Sequence, residues 1–418
     1  MRLILIVVAL AGLAGNAVAN DNPIEQLKAT AGKDPELLVR LGDLYVEAMR
    51  LDDAKRAYKQ AKWKTKEAPE ARFGIIKIYM AQNKFQHAKH FCRRLTAEHP
   101  KLSTGDVCSG HFWLGNARSS RAIESFERAV AKGDIARGKT GIGEAHRRMA
   151  KWDEALSAYN EALAANADYT ADLGMGLVLE KKGDKAGAVA AVKKAVAKEP
   201  ASSLARYHLG RLLGNTPEAV DELQTAVLIR PNWYDAFIEL ASVYEAMDRL
   251  HEATTAYEKA IKADPKRAEG NFGMAKVLFE QGKLDDALSA LQKVVDEIPN
   301  HAGAYLLFAE IYYRKKEHDQ AIEALDRARG VASGDVEVFI RSAEIYMELG
   351  RFTNARAFLS QVVSMRPKNS KAHMMLGDIA CGRKQFEEGR KHYGNALEGD
   401  LKGVDKMDIQ KKQSACHK

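Results

Sequence analysis

Between residues 234 and 267 the apolar side chains fall in two runs, Phe237, Leu240, Ala241 and Tyr244, then Ala253, Tyr257 and Ala260, with Pro265 after them. Steps of three and four residues place each run on one face of a helix, and Ala246-Met247-Asp248 supplies the turn between the two. The same pattern returns along the chain. Prolines 231, 265, 299 and 367 lie 34, 34 and 68 residues apart, with Ser333 in the vacant slot. A fixed period of this length predicts stacked helical hairpins, with small residues where two antiparallel helices approach and bulky ones filling the space between units. Each proline ends a second helix and begins the next hairpin.

Carried outward, the register gives eleven units. The first, at 35–68, has Gly42, Tyr45, Ala54, Tyr58 and Ala61, and the fourth has Gly143, Ala155, Tyr159 and Ala162. Two units depart from the length: Ala122 follows Gly115 after seven residues in the third, and Ala219 follows Gly210 after nine in the sixth, where twelve is the rule. Both shortenings fall at the hairpin turn. The expected division is an N-terminal cap at 20–34, units one to six at 35–233, units seven to eleven at 234–403, and a C-terminal cap or tail at 404–418.

These residues resemble the tetratricopeptide repeat family, with small residues at the eighth, twentieth and twenty-seventh positions, aromatics between them and a closing proline. The resemblance covers nearly the whole chain after residue 19 and implies an all-α, right-handed superhelical solenoid. Exported proteins of this type support pilus, secretion, outer-membrane or polysaccharide-export machinery, so the resemblance implies an adaptor or scaffold with envelope proteins as partners.

Composition agrees with close-packed helices: 46% of the 418 residues are apolar and only 7% aromatic. Met1-Arg2, the apolar run Leu3 to Leu13 and Ala17-Val18-Ala19 form the charge, apolar core and cleavage site of a signal peptide, predicting export to the periplasm of a Gram-negative bacterium. No other segment approaches the roughly 18 apolar residues of a membrane span.

Candidate chemistry is sparse. His87, His90, Cys92, His99, Cys108 and His111 crowd together, and zinc would draw on such a set. In an exported chain the same cysteines favour a Cys92–Cys108 disulfide, with Cys381 and Cys416 as a second pair. Gly138-Lys139-Thr140-Gly141 lacks the upstream glycine of a phosphate loop, and neither a His-Glu-x-x-His nor a Gly-x-Ser-x-Gly motif occurs. No catalytic residue and no cofactor are therefore expected.

Charge divides along the chain, which carries a net +8. Residues 69–202 hold 22 Lys plus Arg against 15 Asp plus Glu, whereas 268–369 hold 13 against 15. The basic half suits an anionic glycan or lipid surface, and the export signal argues against nucleic acid. The family resemblance puts the second, fifth, ninth and twelfth positions of each first helix on a concave face. In the last four units this predicts a protein-binding groove of Phe272, Phe279, Leu306, Tyr313, Ile340, Met347 and Met374, striped with Glu310, Glu344 and Asp378.

Overall fold

The computed structural model describes residues 22–64, 68–331 and 334–417, so the signal-peptide reading of residues 1–19 lies outside them. The described residues form 24 α-helices and no β-strand. They gather into two compact units, one reaching to Arg249 and one starting at Leu250.

The first unit begins with a cap helix, α1 (Pro23–Ala31). Six hairpins follow: α2 (Pro35–Glu47) with α3 (Leu51–Lys64), α4 (Pro69–Ala81) with α5 (Phe85–Glu98), and α6 (Thr104–Gly115) with α7 (Ser119–Ala131). Then come α8 (Ile135–Arg148) with α9 (Trp152–Ala164), α10 (Tyr169–Lys181) with α11 (Lys185–Lys198), and α12 (Ser203–Leu213) with α13 (Pro217–Ile229). Helix α14 (Tyr234–Ala246) closes the unit. The second unit runs α15 (Leu250–Ala263), α16 (Ala268–Glu280), α17 (Leu284–Glu297), α18 (Ala302–Arg314), α19 (His318–Val331), α20 (Val336–Glu348), α21 (Phe352–Met365), α22 (Ser370–Gly382), α23 (Phe386–Glu398) and α24 (Lys406–Ala415).

Local chemistry sets the ends. Asp34 accepts from the backbone N–H of Glu36 and Leu37 ahead of Pro35, and Asp335 does the same for Glu337 and Val338. Between paired helices one residue turns left-handed, at Met49, Asn83, Ala117, Ala150, Gly183, Asp248, Gly282, Lys316, Gly350 and Lys384. Glycine takes that conformation freely, yet the 34-residue lattice holds it at Met, Ala and Lys as well.

A ring-and-glycine clasp joins successive hairpins. Phe126 of α7 is fully buried, and a Cβ added at Gly110 or Gly141 would lie 2.5 or 2.4 Å from its ring. Tyr58 sits in the same way between Gly42 and Gly74, and Tyr159 between Gly143 and Gly174. Each of these three aromatics thus needs bare backbone on two first helices, its own partner's and the next.

The clasp corrects the register of the third unit. Gly110, rather than Gly115, holds the eighth position against Phe126, and Gly115 is simply the last residue of α6. The third hairpin is therefore not shortened at its turn, where Ala117 is left-handed like its counterparts. In the sixth the turn, Gly214 to Thr216, is as long as in the other hairpins, and the shortening lies in α12, which has 11 residues against 13 in α2.

The first unit curls until its ends meet. Asn22 Nδ2 donates to the Leu228 carbonyl at 3.0 Å, and Arg40 pairs with Glu199. Glu47, the last residue of α2, accepts from Leu204 N at 2.8 Å, Tyr169 Oη at 2.7 Å and the Ser202 and Ser203 hydroxyls at 3.0 Å. Burial pushes its carboxyl above the ordinary value, and these donors offset part of the rise. Ala201 and Ile229 join one apolar core with Ile24, Leu27, Leu38 and Leu41.

The first helices line the inside of this curl. Lys77 pairs with Asp43 at 2.8 Å, Arg148 donates to the Leu114 carbonyl at 2.8 Å, and Arg211 pairs with Glu180 at 2.6 Å. His111 lies within electrostatic reach of Lys77, Glu144, Arg148 and Asp43, which belong to three other first helices. The His111 side chain is exposed, whereas desolvation lowers the half-buried His208 imidazole to about 4.

His208 loses its proton on folding. An unfolded imidazole binds its proton below about 6.5, so between that pH and about 4 the unfolded chain holds more protons and stability falls as pH drops. The melting temperature should decline across this window, and His208→Gln should flatten the decline. An unchanged slope in the variant would contradict the assignment.

In the second unit one core extends from Ala268 on α16 to Ile379 on α22. A satellite cluster of Tyr393, Ala396, Ile409 and Cys416 holds the last helix. Disulfides join Cys92 to Cys108, with Cα atoms 5.5 Å apart, and Cys381 to Cys416, 5.6 Å apart. Both separations lie in the ordinary range for the bond.

Candidate functional site

Among the first helices of the second unit, α16, α18, α20 and α22, the anticipated groove residues fall into three groups. Phe272, Leu306, Tyr313 and Met347 are half-buried, packed against the core with part of each side chain facing solvent. Phe272 meets the His301 ring at 4.6 Å, and Tyr313 lies 6.1 Å from His318, with the charge of Glu348 raising its phenol above the ordinary value.

Phe279 and Ile340 form the second group and are corrected as groove residues, being 9% and 4% exposed. The Arg314 guanidinium sits 3.7 Å over the Phe279 ring and donates to its carbonyl at 3.4 Å, so the surface presented there is a cation on an aromatic. Met374 and Asp378 form the third group, taken up by the terminal cap. Met374 packs in the satellite cluster, and Asp378 accepts from Tyr393 Oη at 2.7 Å and pairs with Lys412 of α24 at 3.0 Å.

The acidic stripe is neutralised. Arg341 bridges Glu310 at 2.8 Å and Glu344 at 2.9 Å, and Lys371 pairs with Glu344 at 2.8 Å. Burial alone would raise the Glu344 carboxyl, but Lys371 and Arg341 hold it below the usual range. The strip therefore presents alternating charges beside apolar surface.

A cleft of about 340 Å³ opens elsewhere in the unit, between α17, α18 and α19. Tyr305, Phe308 and Tyr312 of α18 form one wall, with Phe308 and Tyr312 nearly parallel at 6.2 Å, while Val295, Asp296, Glu323 and Arg327 contribute to the others. Sequence reasoning passed over these aromatics because they lie off the groove positions. Their common face at steps of three and four was the available signal.

The Cys/His cluster resolves differently from a metal centre. With Cys92 bonded to Cys108, neither sulfur is a thiolate ligand. His87 stacks on Tyr79 at 5.9 Å, and His111 lies between Phe73 at 5.8 Å and Phe126 at 5.4 Å. Among the described residues no group of three or more His, Cys, Asp or Glu is placed to hold a metal ion.

Tetratricopeptide repeat family models match residues 140–203, 173–236 and 336–369. Over these residues the chain carries tetratricopeptide repeats. Such solenoids are protein-interaction scaffolds, and their stacked hairpins offer extended binding surfaces. A model described as anaphase-promoting complex, cyclosome, subunit 3 matches residues 246–328. No curated protein matches the chain. Among solved structures, yeast Tom70 is similar at 15% identity, over 92% of this chain and 96% of its own, with a TM-score of 0.48. A tetratricopeptide repeat protein from Parabacteroides merdae is similar at 17% identity, over 59% of this chain and 98% of its own, with a TM-score of 0.47. The pilF protein of Pseudomonas aeruginosa is similar at 17% identity, over 49% and 94%, with a TM-score of 0.40. None of these likenesses bears on partners.

Proposed function

We propose that the chain is a non-enzymatic adaptor, exported to the periplasm, that holds a segment of an envelope protein against the first helices of its second unit. The observation that carries the reading is the half-exposed strip of Phe272, Leu306, Tyr313 and Met347 beside the Glu310–Arg341–Glu344–Lys371 chain of charges. Apolar anchors next to paired charges suit an extended or helical segment with apolar side chains and a few polar ones. Pairing of all four cysteines supports an oxidising compartment, and no helix among the described residues is long and apolar enough to cross a membrane.

With a partner captured from the native envelope, Leu306→Ala and Tyr313→Ala should each weaken binding by about 1–3 kcal/mol. Phe279→Ala should act chiefly on melting temperature, because its ring is 9% exposed and covered by Arg314. Wild-type affinity in both surface variants would defeat the reading. Export has its own check: the mature chain should begin at Asn20 by N-terminal sequencing, and a chain retaining Leu3 to Leu13 would contradict it.

A second reading rests on the basic surplus of residues 69–202, which would draw an anionic glycan or lipid surface. Binding to anionic vesicles that weakens steeply with salt would favour it.

A further inference from the structure

We propose that the first unit is a curl with one separable seam, and that Glu47 is the latch whose contacts decide whether the seam is closed or open. The junctions between consecutive hairpins and this seam are built differently. Three of the five junctions between its consecutive hairpins share a buried aromatic clasped between glycines, Tyr58, Phe126 or Tyr159, the Cys92–Cys108 disulfide ties the second hairpin to the third, and Val192 packs with Leu209 and Leu212 between the fifth and sixth. Across the seam the apolar contribution is Ala201 and Ile229 against the core of α1 and α2. The rest is polar: Glu47 with its donors, Arg40 with Glu199, and Asn22 on the Leu228 carbonyl.

Polar contacts of this kind exchange for water at small net cost, whereas separating consecutive hairpins would expose whole rings or aliphatic side chains or break a disulfide. The seam is therefore the junction at which the unit opens while its hairpins stay folded. Glu47 dominates the closed side because it alone reaches three elements. Its carboxylate takes the backbone N–H of Leu204 and the hydroxyls of Ser202 and Ser203 at the start of α12, whose dipole favours a negative charge there. It also takes the Tyr169 hydroxyl at the start of α10, and it fastens both to the last turn of α2. Closing withdraws that carboxylate from water, which opposes the gain from its four donors.

Opening would widen the already solvent-accessible inner face that carries Asp43, Lys77, His111, Glu144 and Arg211. This inference concerns the first unit alone and stands apart from the binding strip of the second.

Hydrogen exchange on the full chain tests it. In the wild type, amides of residues 22–47 and 199–206 should exchange faster than those of α7 and α8 around the Phe126 clasp. Glu47→Ala should speed the seam amides at least tenfold, leave α5 to α8 unchanged and enlarge the chain in small-angle scattering. Glu47→Gln keeps an acceptor without the charge and should exchange at or below the wild-type rate. Arg40→Glu should open the seam as well, and adding Glu199→Arg should close it again. The proposal is overturned if Glu47→Ala leaves the seam amides unchanged or speeds α1 to α13 uniformly. Failure of the charge swap to restore protection would also overturn it.

Discussion

Phe126→Ala should destabilise the first unit by about 3–5 kcal/mol, read as a shift in the denaturant midpoint with little change in slope. The ring is fully buried and fills the space between Gly110 and Gly141, so its loss leaves a cavity that two backbones cannot collapse to fill. Filling the same space from the other side should also be harmful. Gly141→Leu would drive a side chain into the ring from a Cβ position 2.4 Å away, costing about 1–3 kcal/mol or more. Losses below about 1 kcal/mol in both variants would mean that the clasp does not hold the hairpins together.

Removing the Cys92–Cys108 bond should cost about 3 kcal/mol, since the closed loop spans a separation of 16 residues. The bond ties α5 to α6, and hence one hairpin to the next, so a Cys92→Ala/Cys108→Ala double variant should melt earlier in the first unit. The Cys381–Cys416 bond pins only α24 onto the satellite cluster, and its loss should raise exchange in residues 406–415 while the main core of the second unit stays protected. An equal melting temperature with and without reductant would remove the stabilising role of both bonds.

The helical hairpins were legible because one physical requirement, a bulky side chain of the second helix against bare or nearly bare backbone of a first helix, recurs every 33 or 34 residues and writes Gly or Ala opposite Tyr58, Phe126, Tyr159, Val192 and Leu223. The third unit was misread where two glycines compete on one helix: spacing alone does not say whether Gly110 or Gly115 faces Phe126, and packing does. The groove was legible as positions but not as surface. Whether Phe279 is exposed depends on where Arg314 of the next hairpin rests, and whether Glu344 is free depends on Lys371.

The curl of the first unit left no mark in the sequence. It brings Glu47 to Ser202 across 155 residues by summing a small rotation at each hairpin, and no periodicity encodes that total. The aromatic cleft lies between these extremes. Tyr305, Phe308 and Tyr312 share a helix face that can be counted, but the gap between α17 and α19 that uncovers them is a matter of how neighbouring hairpins seat.

Site-specific photo-crosslinking in intact cells tests whether the second unit holds an envelope protein through its first-helix strip. A photoreactive residue placed at 306 or 313 of the full chain should cross-link to one discrete envelope protein, while the same residue at exposed Lys194 on α11 should not. Cross-linking at Lys194 with none at 306 and 313, or none at any of the three, would contradict the claim.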